Sequence, residues 1–218
     1  MNFQYILFDL DGTITKSGEG IANSVMYALK KYGIEVKDKN ELNKFIGPPL
    51  GDSFQKYYGF SSEEAKTAIE YYREYYTEKG IFENTLYDGI EALLKRIKDS
   101  GGIIILATSK PKIFAKRILK HFGMDRYFSY VIGSNLDGTM VKKYDIIKSA
   151  IESCQITDLS KAVMVGDRHY DIDGAKKSGI RSIGVLYGYG SRKELKEAGA
   201  DFIAGSVEEI WDILIGGK

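Results

Sequence analysis

The chain has 218 residues and a formal net charge of +1, with 44% hydrophobic and 28% charged residues, the composition of a globular protein large enough for one big core or two small ones. So neutral a balance gives no electrostatic footprint for nucleic acid or an anionic membrane; no apolar run approaches the ~18 residues of a membrane span, and MNFQYILFDLDGT lacks the basic region and cleavage site of a secretory signal. The single cysteine, Cys154, excludes an internal disulfide, and these features together lead to the expectation of a cytoplasmic protein.

In chain order, the first element is YILFDLD at 5–11, a continuous apolar run of the kind buried on both faces of a parallel sheet. It ends on two aspartates, Asp9 and Asp11. From 17 to 82 only helical patterns follow: 19–33, closing at Gly33, a shorter stretch at 39–47, then 50–59 and 61–80. The last opens on Ser61-Ser62-Glu63-Glu64, a helix N-terminal signal with acids at the positive end of the helix dipole. Between the second and third, Gly47-Pro48-Pro49 makes a rigid break. Half of the 16 tyrosines lie in this segment, and the spacing of Tyr71/Tyr75 and Tyr72/Tyr76 predicts helix packing in preference to an aromatic surface that meets a ligand.

After residue 83 the pattern alternates. An amphipathic helix at 88–101 precedes a β-branched run at 102–109, and a helix at 112–123 follows. A helix at 144–154 holds Cys154 as a packing residue. A run at 162–167, a helix at 172–179 and a run at 182–188 complete the series. Strand–helix alternation predicts an α/β fold: a doubly wound, Rossmann-like parallel sheet core made of 1–16 and 83–218, with an inserted α-helical segment at 17–82.

Adjacent like charges repel, and carboxylates are costly to bury unless paired or metal-bound. In open α/β sheets ligands bind beyond the carboxyl ends of the strands. Those ends carry Asp9 and Asp11, then Thr108 and Ser109, then Asp167. Three acids on one hard cation, with room left for water, suit Mg²⁺. Asp11 lies where extension should end, so it can offer a backbone carbonyl in place of its carboxylate. Thr108 and Ser109 offer a hydroxyl and a backbone N–H to an anion, and Lys110, Lys142 or Lys143 would complete a phosphate site. A second DGT, Asp137–Thr139, follows Asn135 with no buried run before it and reads as a turn. YGYGSR at 187–192 reads as a strand-end loop, and His121 and His169 as surface or loop residues.

FDLDGT, ILATSK, a lysine before YDII, and GDRHYD, in that order, resemble the haloacid dehalogenase-like hydrolases along essentially the whole chain. Within that family the sequence is most similar to the phosphoglycolate phosphatase and 5′-nucleotidase group. The resemblance implies that 17–82 is an α-helical cap that closes over substrate, with Gly47 and Pro48 as substrate contacts. It implies that Asp9 is the nucleophile, forming an aspartyl-phosphate, and that Asp11 is the general acid and then the base. Mg²⁺ would sit on Asp9, the Asp11 carbonyl and Asp167, with Asp171 ordering metal-bound water. Thr108, Ser109 and the motif lysine would hold the phosphate. The family spacing, a lysine three residues before an aliphatic pair, matches Lys143, with Lys142 as the alternative. Asp11 also separates this chain from dehalogenases, which expel halide and need no acid there.

The expected function is hydrolysis of a small-molecule phosphate monoester, by a monomer or a homodimer, with no nucleic acid or membrane partner. Two alternatives share the motifs: a phosphomutase of the β-phosphoglucomutase type, and a non-enzymatic regulatory protein that kept the fold.

Overall fold

The apolar runs become a six-stranded, all-parallel sheet. A computed structural model describes residues 1–216 of the chain; residues 217 and 218, the end of the expected core range, lie outside the described residues. The chain divides into two compact units, Lys16–Thr85, and Met1–Thr15 together with the chain from Leu86 onward.

The larger unit is built on β1 (Tyr5–Phe8), whose Ile6, Leu7 and Phe8 are fully buried. It pairs in parallel with β4 (Ile103–Pro111) on one side and with β6 (Ala162–Gly166) on the other. Next to β4 lies β5 (Tyr130–Ser134); next to β6 lie β7 (Arg181–Val185) and then β8 (Phe202–Ala204). The sheet order is therefore β5-β4-β1-β6-β7-β8. Its connections are α4 (Ile90–Asp99), α5 (Lys112–His121), α6 (Lys143–Ser153), α7 (His169–Ser178) and α8 (Arg192–Ala198), with α9 (Val207–Ile215) last. α6 and α7 cover one core: Ile146, Ile147, Ala150 and Ala175 pack with Leu7, Ile105 and Met164. Cys154 packs at the edge of the same cluster, where burial pushes its thiol up to about 11.

The sequence reading identifies the four central strands and misses β5 and β8. These are the two edges of the sheet. An edge strand is flanked on one side only, and here each exposes an aromatic ring, Tyr130 or Phe202. Their apolar runs, YVI at 130–132 and FIA at 202–204, are only three residues long, shorter than those of the central strands.

The smaller unit is helical, as the sequence predicts. It contains α1 (Gly18–Lys30), α2 (Leu50–Tyr58) and α3 (Ser62–Tyr75). The expected helix at 39–47 is a 3₁₀ segment at Lys39–Phe45. The long pattern at 61–80 divides: α3 stops at Tyr75 and a π-helical turn covers Tyr76–Gly80. That turn lies against α1, where a Cβ on Gly20 would overlap the Gly80 carbonyl. The tyrosines are mostly packing residues. Tyr72 and Tyr76 stack at 5.2 Å between ring centroids. Tyr75 meets Tyr27 of α1 at 5.7 Å, and Tyr71 meets Tyr32, just past the end of that helix, at 6.1 Å. Two short strands, β2 (Thr15–Lys16) and β3 (Thr85–Leu86), pair where the chain passes between the units.

Candidate active site

The site lies at the carboxyl ends of β1, β4 and β6, so its geometry follows from how those strands end. β1 continues one residue past its named end, where the Asp9 N–H donates to the Val165 carbonyl at 2.9 Å. The chain then folds back on itself. The Leu10 carbonyl accepts from the N–H groups of Thr13, Ile14 and Thr15 at 3.3, 2.9 and 3.0 Å. Gly12 has φ +85°, a left-handed conformation that side chains rarely adopt, and any Cβ there would run into the Asp167 carboxylate. The glycine of DGT is thus required twice, by the turn and by the approach of Asp167.

Asp167 follows β6 directly and is fully buried. Its Oδ2 accepts from the Tyr189 N–H at 2.7 Å, while Oδ1 has no hydrogen-bond partner among the described residues. Gly188 and Gly190 close around it: a Cβ on either would collide with Asp167. Tyr187 anchors the same loop to the first motif, its hydroxyl donating to the Thr13 carbonyl at 3.0 Å. The YGYG stretch therefore cradles an acid. Its sequence signal was alternate small residues just after a strand, and only the fold says what they surround.

Asp171 lies in the first turn of α7 and is buried. Its Oδ2 accepts from the Arg168 N–H at 3.1 Å, and Gly166 leaves room for its carboxylate. Lys143, the first residue of α6, is buried and its Nζ sits 2.8 Å from both Asp9 Oδ1 and Asp171 Oδ1. It also donates to the Ala107 carbonyl at 3.1 Å. Lys142 is the exposed residue just before the helix. Of the two adjacent lysines, the one inside the cluster is Lys143.

Carboxylate oxygens of Asp9, Asp167 and Asp171 lie within 4.8 Å of one another. Burial pushes the Asp9 carboxyl up to about 6 although Lys143 pulls it down. Burial, then the charges of Asp171 and Asp9, hold the Asp167 carboxyl well above the usual range. Burial would lower Lys143, but Asp171 and Asp9 outweigh it and hold the ammonium above its ordinary value. One lysine thus pairs with two of the three buried acids, and the charge of Arg168 only partly offsets the burial of Asp167. That is the donor set of a hard divalent cation: buried oxygens, an orphaned Oδ1, and negative charge in excess.

Thr108 ends the buried part of β4, and its Oγ1 accepts from the Lys110 N–H at 3.3 Å. Its hydroxyl proton is left to donate elsewhere. Ser109 is half-buried, and its carbonyl accepts from the Ser134 hydroxyl at 2.8 Å. Asp11 Oδ2 meets Lys110 Nζ at 2.7 Å. Asp9, Asp11, Thr108, Ser109, Lys143, Asp167 and Asp171 all belong to the larger unit. Gly47, with φ +104°, and Pro48 belong to the helical unit, between the 3₁₀ segment and α2. The second DGT is a turn, as read: Asp137 Oδ1 accepts from the Thr139 N–H at 2.9 Å and from its hydroxyl at 2.6 Å.

Comparisons with known proteins agree with this arrangement. The haloacid dehalogenase-like hydrolase family matches residues 6–185. A solved structure described as a predicted phosphatase from Clostridium acetobutylicum superposes with a TM-score of 0.96 at 52% identity, covering 99% of each chain. A Pseudomonas aeruginosa protein named 5′-nucleotidase is 42% identical over 196 residues, 90% of this chain and 88% of that one. A Mycobacterium tuberculosis protein named tyrosine-protein kinase PtkA is 35% identical over 215 residues, 97% of this chain and 72% of that one. Family match, whole-length likeness and strand-end acids agree: the chain is an enzyme of the haloacid dehalogenase-like hydrolase family.

Proposed function

We propose that this hydrolase is a Mg²⁺-dependent phosphatase of small phosphate monoesters, acting through an aspartyl-phosphate on Asp9, with nucleoside 5′-monophosphates as the leading substrate class and phosphoglycolate-like acids next. The observation that carries the reading is the buried cluster of Asp9, Asp167 and Asp171 around Lys143, beside a second aspartate, Asp11. The substrate class rests on likeness to the 5′-nucleotidase relative.

The chemistry needs each part. Phosphate monoesters are dianions that hydrolyse extremely slowly unaided. Asp9 is therefore a weak nucleophile facing negative charge. Asp9, the Asp11 carbonyl and Asp167 would hold Mg²⁺, which supplies charge neutralisation at the phosphoryl oxygens. Asp171 has one oxygen on Lys143 and the other on the Arg168 N–H, so its role is support. Thr108, whose Oγ1 already accepts a hydrogen bond, donates its proton to a phosphoryl oxygen; Lys143 balances the charge of Asp9. An Asp9 oxygen forms a bond to phosphorus as the ester P–O bond breaks. The departing oxygen takes a proton from Asp11. In the second half, water attacks the aspartyl-phosphate, gives its proton to Asp11, and inorganic phosphate leaves with Asp9 restored.

The test is phosphate release from a panel of nucleoside 5′-monophosphates, phosphoglycolate and hexose phosphates, with and without Mg²⁺. The expected result is Mg²⁺-dependent release from at least one member by the native chain and none by Asp9→Asn. No release from any member by folded protein would sink the reading. Isomerised sugar phosphate with no free phosphate would point to the mutase instead.

A further inference from the structure

Lys110 has no part in the reaction as described, yet it is one of the most constrained cations in the chain. Its Nζ lies 2.7 Å from Asp11 Oδ2, with side-chain exposures of only 6% and 12%. An exposed ion pair would say little. A pair this enclosed fixes the rotamers of both partners, and losing Lys110 would leave the enclosed Asp11 carboxylate without its ion pair.

The backbone that carries Lys110 is also specially built. The β4–β5 register shifts between Thr108 and Pro111, a bulge of the kind that re-aims side chains beside active sites. Three contacts hold it. The Lys110 N–H donates to Thr108 Oγ1 at 3.3 Å, and the Ser134 hydroxyl donates to the Ser109 carbonyl at 2.8 Å. Gly133 lies against the Lys110 carbonyl, which would be 2.7 Å from a Cβ at that position. The bulge thus sets Thr108 and Lys110 in one fixed relation, with the Lys110 side chain reaching Asp11.

The two oxygens of Asp11 are unequal. Oδ2 faces an ammonium, which donates hydrogen bonds and accepts none. Oδ1 is buried and has no hydrogen-bond partner among the described residues. The oxygen held by Lys110 must stay an acceptor, which leaves Oδ1 as the Asp11 atom able to exchange a proton with a ligand. We propose that Lys110 is the positioning residue for Asp11: it holds Oδ2 and so turns Oδ1 toward the departing oxygen of the ester. This rests on the phosphatase reading above. When the ester P–O bond breaks, the proton on Oδ1 passes to the departing oxygen, and the attacking water later returns one to Oδ1. Lys110 keeps its own protons throughout.

The experiment compares leaving groups. The native chain, Asp11→Asn, Lys110→Met, Lys110→Gln and Lys110→Arg are assayed with Mg²⁺ on p-nitrophenyl phosphate, phenyl phosphate and AMP. A nitrophenolate departs without a proton; the AMP ribose oxygen does not. General acid catalysis contributes about 10²–10⁴-fold. Lys110→Met is therefore expected to lose about 10²-fold or more in kcat on AMP but less than about fivefold on p-nitrophenyl phosphate, with KM little changed. Asp11→Asn should show the same split, and Lys110→Arg should restore most of the AMP rate. If Lys110→Met does not fold, Lys110→Gln, which keeps an N–H donor, must show the split in weaker form. Equal losses on all three esters overturn the assignment in favour of a structural cation. A raised KM with unchanged kcat overturns it in favour of a phosphate clamp. A native chain that turns over none of the esters sinks the phosphatase reading itself, whereas an active native chain with uniform losses sinks only the role of Lys110.

Discussion

At the scale of single residues, glycine does as much for the site as aspartate. Gly12, Gly166, Gly188 and Gly190 are small because the Asp167 and Asp171 groups occupy the space a Cβ would need. Gly12→Ala should be among the worst small changes in the protein. It combines a positive φ, which costs about 1–3 kcal/mol for a non-glycine residue, with displacement of a buried carboxylate. Each kcal/mol corresponds to about 2–4 °C in Tm for a chain of this size, so a calorimetric scan should show a clear drop. Mg²⁺ should act in the opposite sense, because binding favours the folded state. At 100 times its Kd a ligand adds about 2.7 kcal/mol. The expected outcome is a Mg²⁺-dependent rise in Tm that Asp167→Asn abolishes; an equal rise in that variant would count against Asp167 as a ligand. The acids and Thr108 were legible in the sequence because motif spacing marks them. Lys110 lies two residues after Thr108, but the β4 register shifts between Thr108 and Pro111, so strand alternation does not give its pairing with Asp11.

At the scale of elements, legibility tracks how local the determining interactions are. The start of α3 was readable from Ser61-Ser62-Glu63-Glu64 because a cap is a contact between neighbours. Here it is a full capping box: the Glu64 N–H donates to the Ser61 hydroxyl oxygen at 3.2 Å, and the Ser61 N–H to Glu64 Oε2 at 2.7 Å. Ser61→Ala should cost about 1 kcal/mol, measured as a shift in the denaturant midpoint. The hydrogen bonds from the Ser61 backbone and side chain hold the Glu64 carboxyl below its ordinary value. A carboxyl depressed by folding stabilises above its unfolded pKa and loses that contribution as pH falls through its folded pKa. This half of the box should therefore fail on acidification, visible as loss of protection at the Ser61 amide. The end of α3 was not readable: the chain passes into a π turn at Tyr76–Gly80, where Gly80 lies against Gly20 of α1, a contact between residues far apart in the chain. β5 and β8 escaped because their apolar runs, YVI and FIA, are only three residues long.

At the scale of the whole molecule, the order of the sheet makes the chemistry possible. The chain meets its strands as β1, β4, β5, β6, β7 and β8, yet β4 and β6 flank β1, so Asp9, Thr108 and Asp167 become neighbours across three adjacent strand ends. The central strand should also be the most stable part of the larger unit. Ile6, Leu7 and Phe8 are expected to show the slowest amide exchange, and Leu7→Ala should cost about 2–5 kcal/mol; rapid exchange there would contradict a core centred on β1. What the sequence by itself determined is the part governed by local pattern: the α/β alternation, the helical insertion, and the identity of the acids at strand ends. Burial periodicity and motif spacing are properties of neighbouring residues, so one chain suffices to read them. Tertiary structure alone decided which groups face one another: Lys143, which motif spacing already favoured over Lys142, between Asp9 and Asp171, Tyr189 on Asp167, and Lys110 on Asp11. Those pairings join residues from 22 to 134 positions apart, across parallel strands whose order no local pattern encodes.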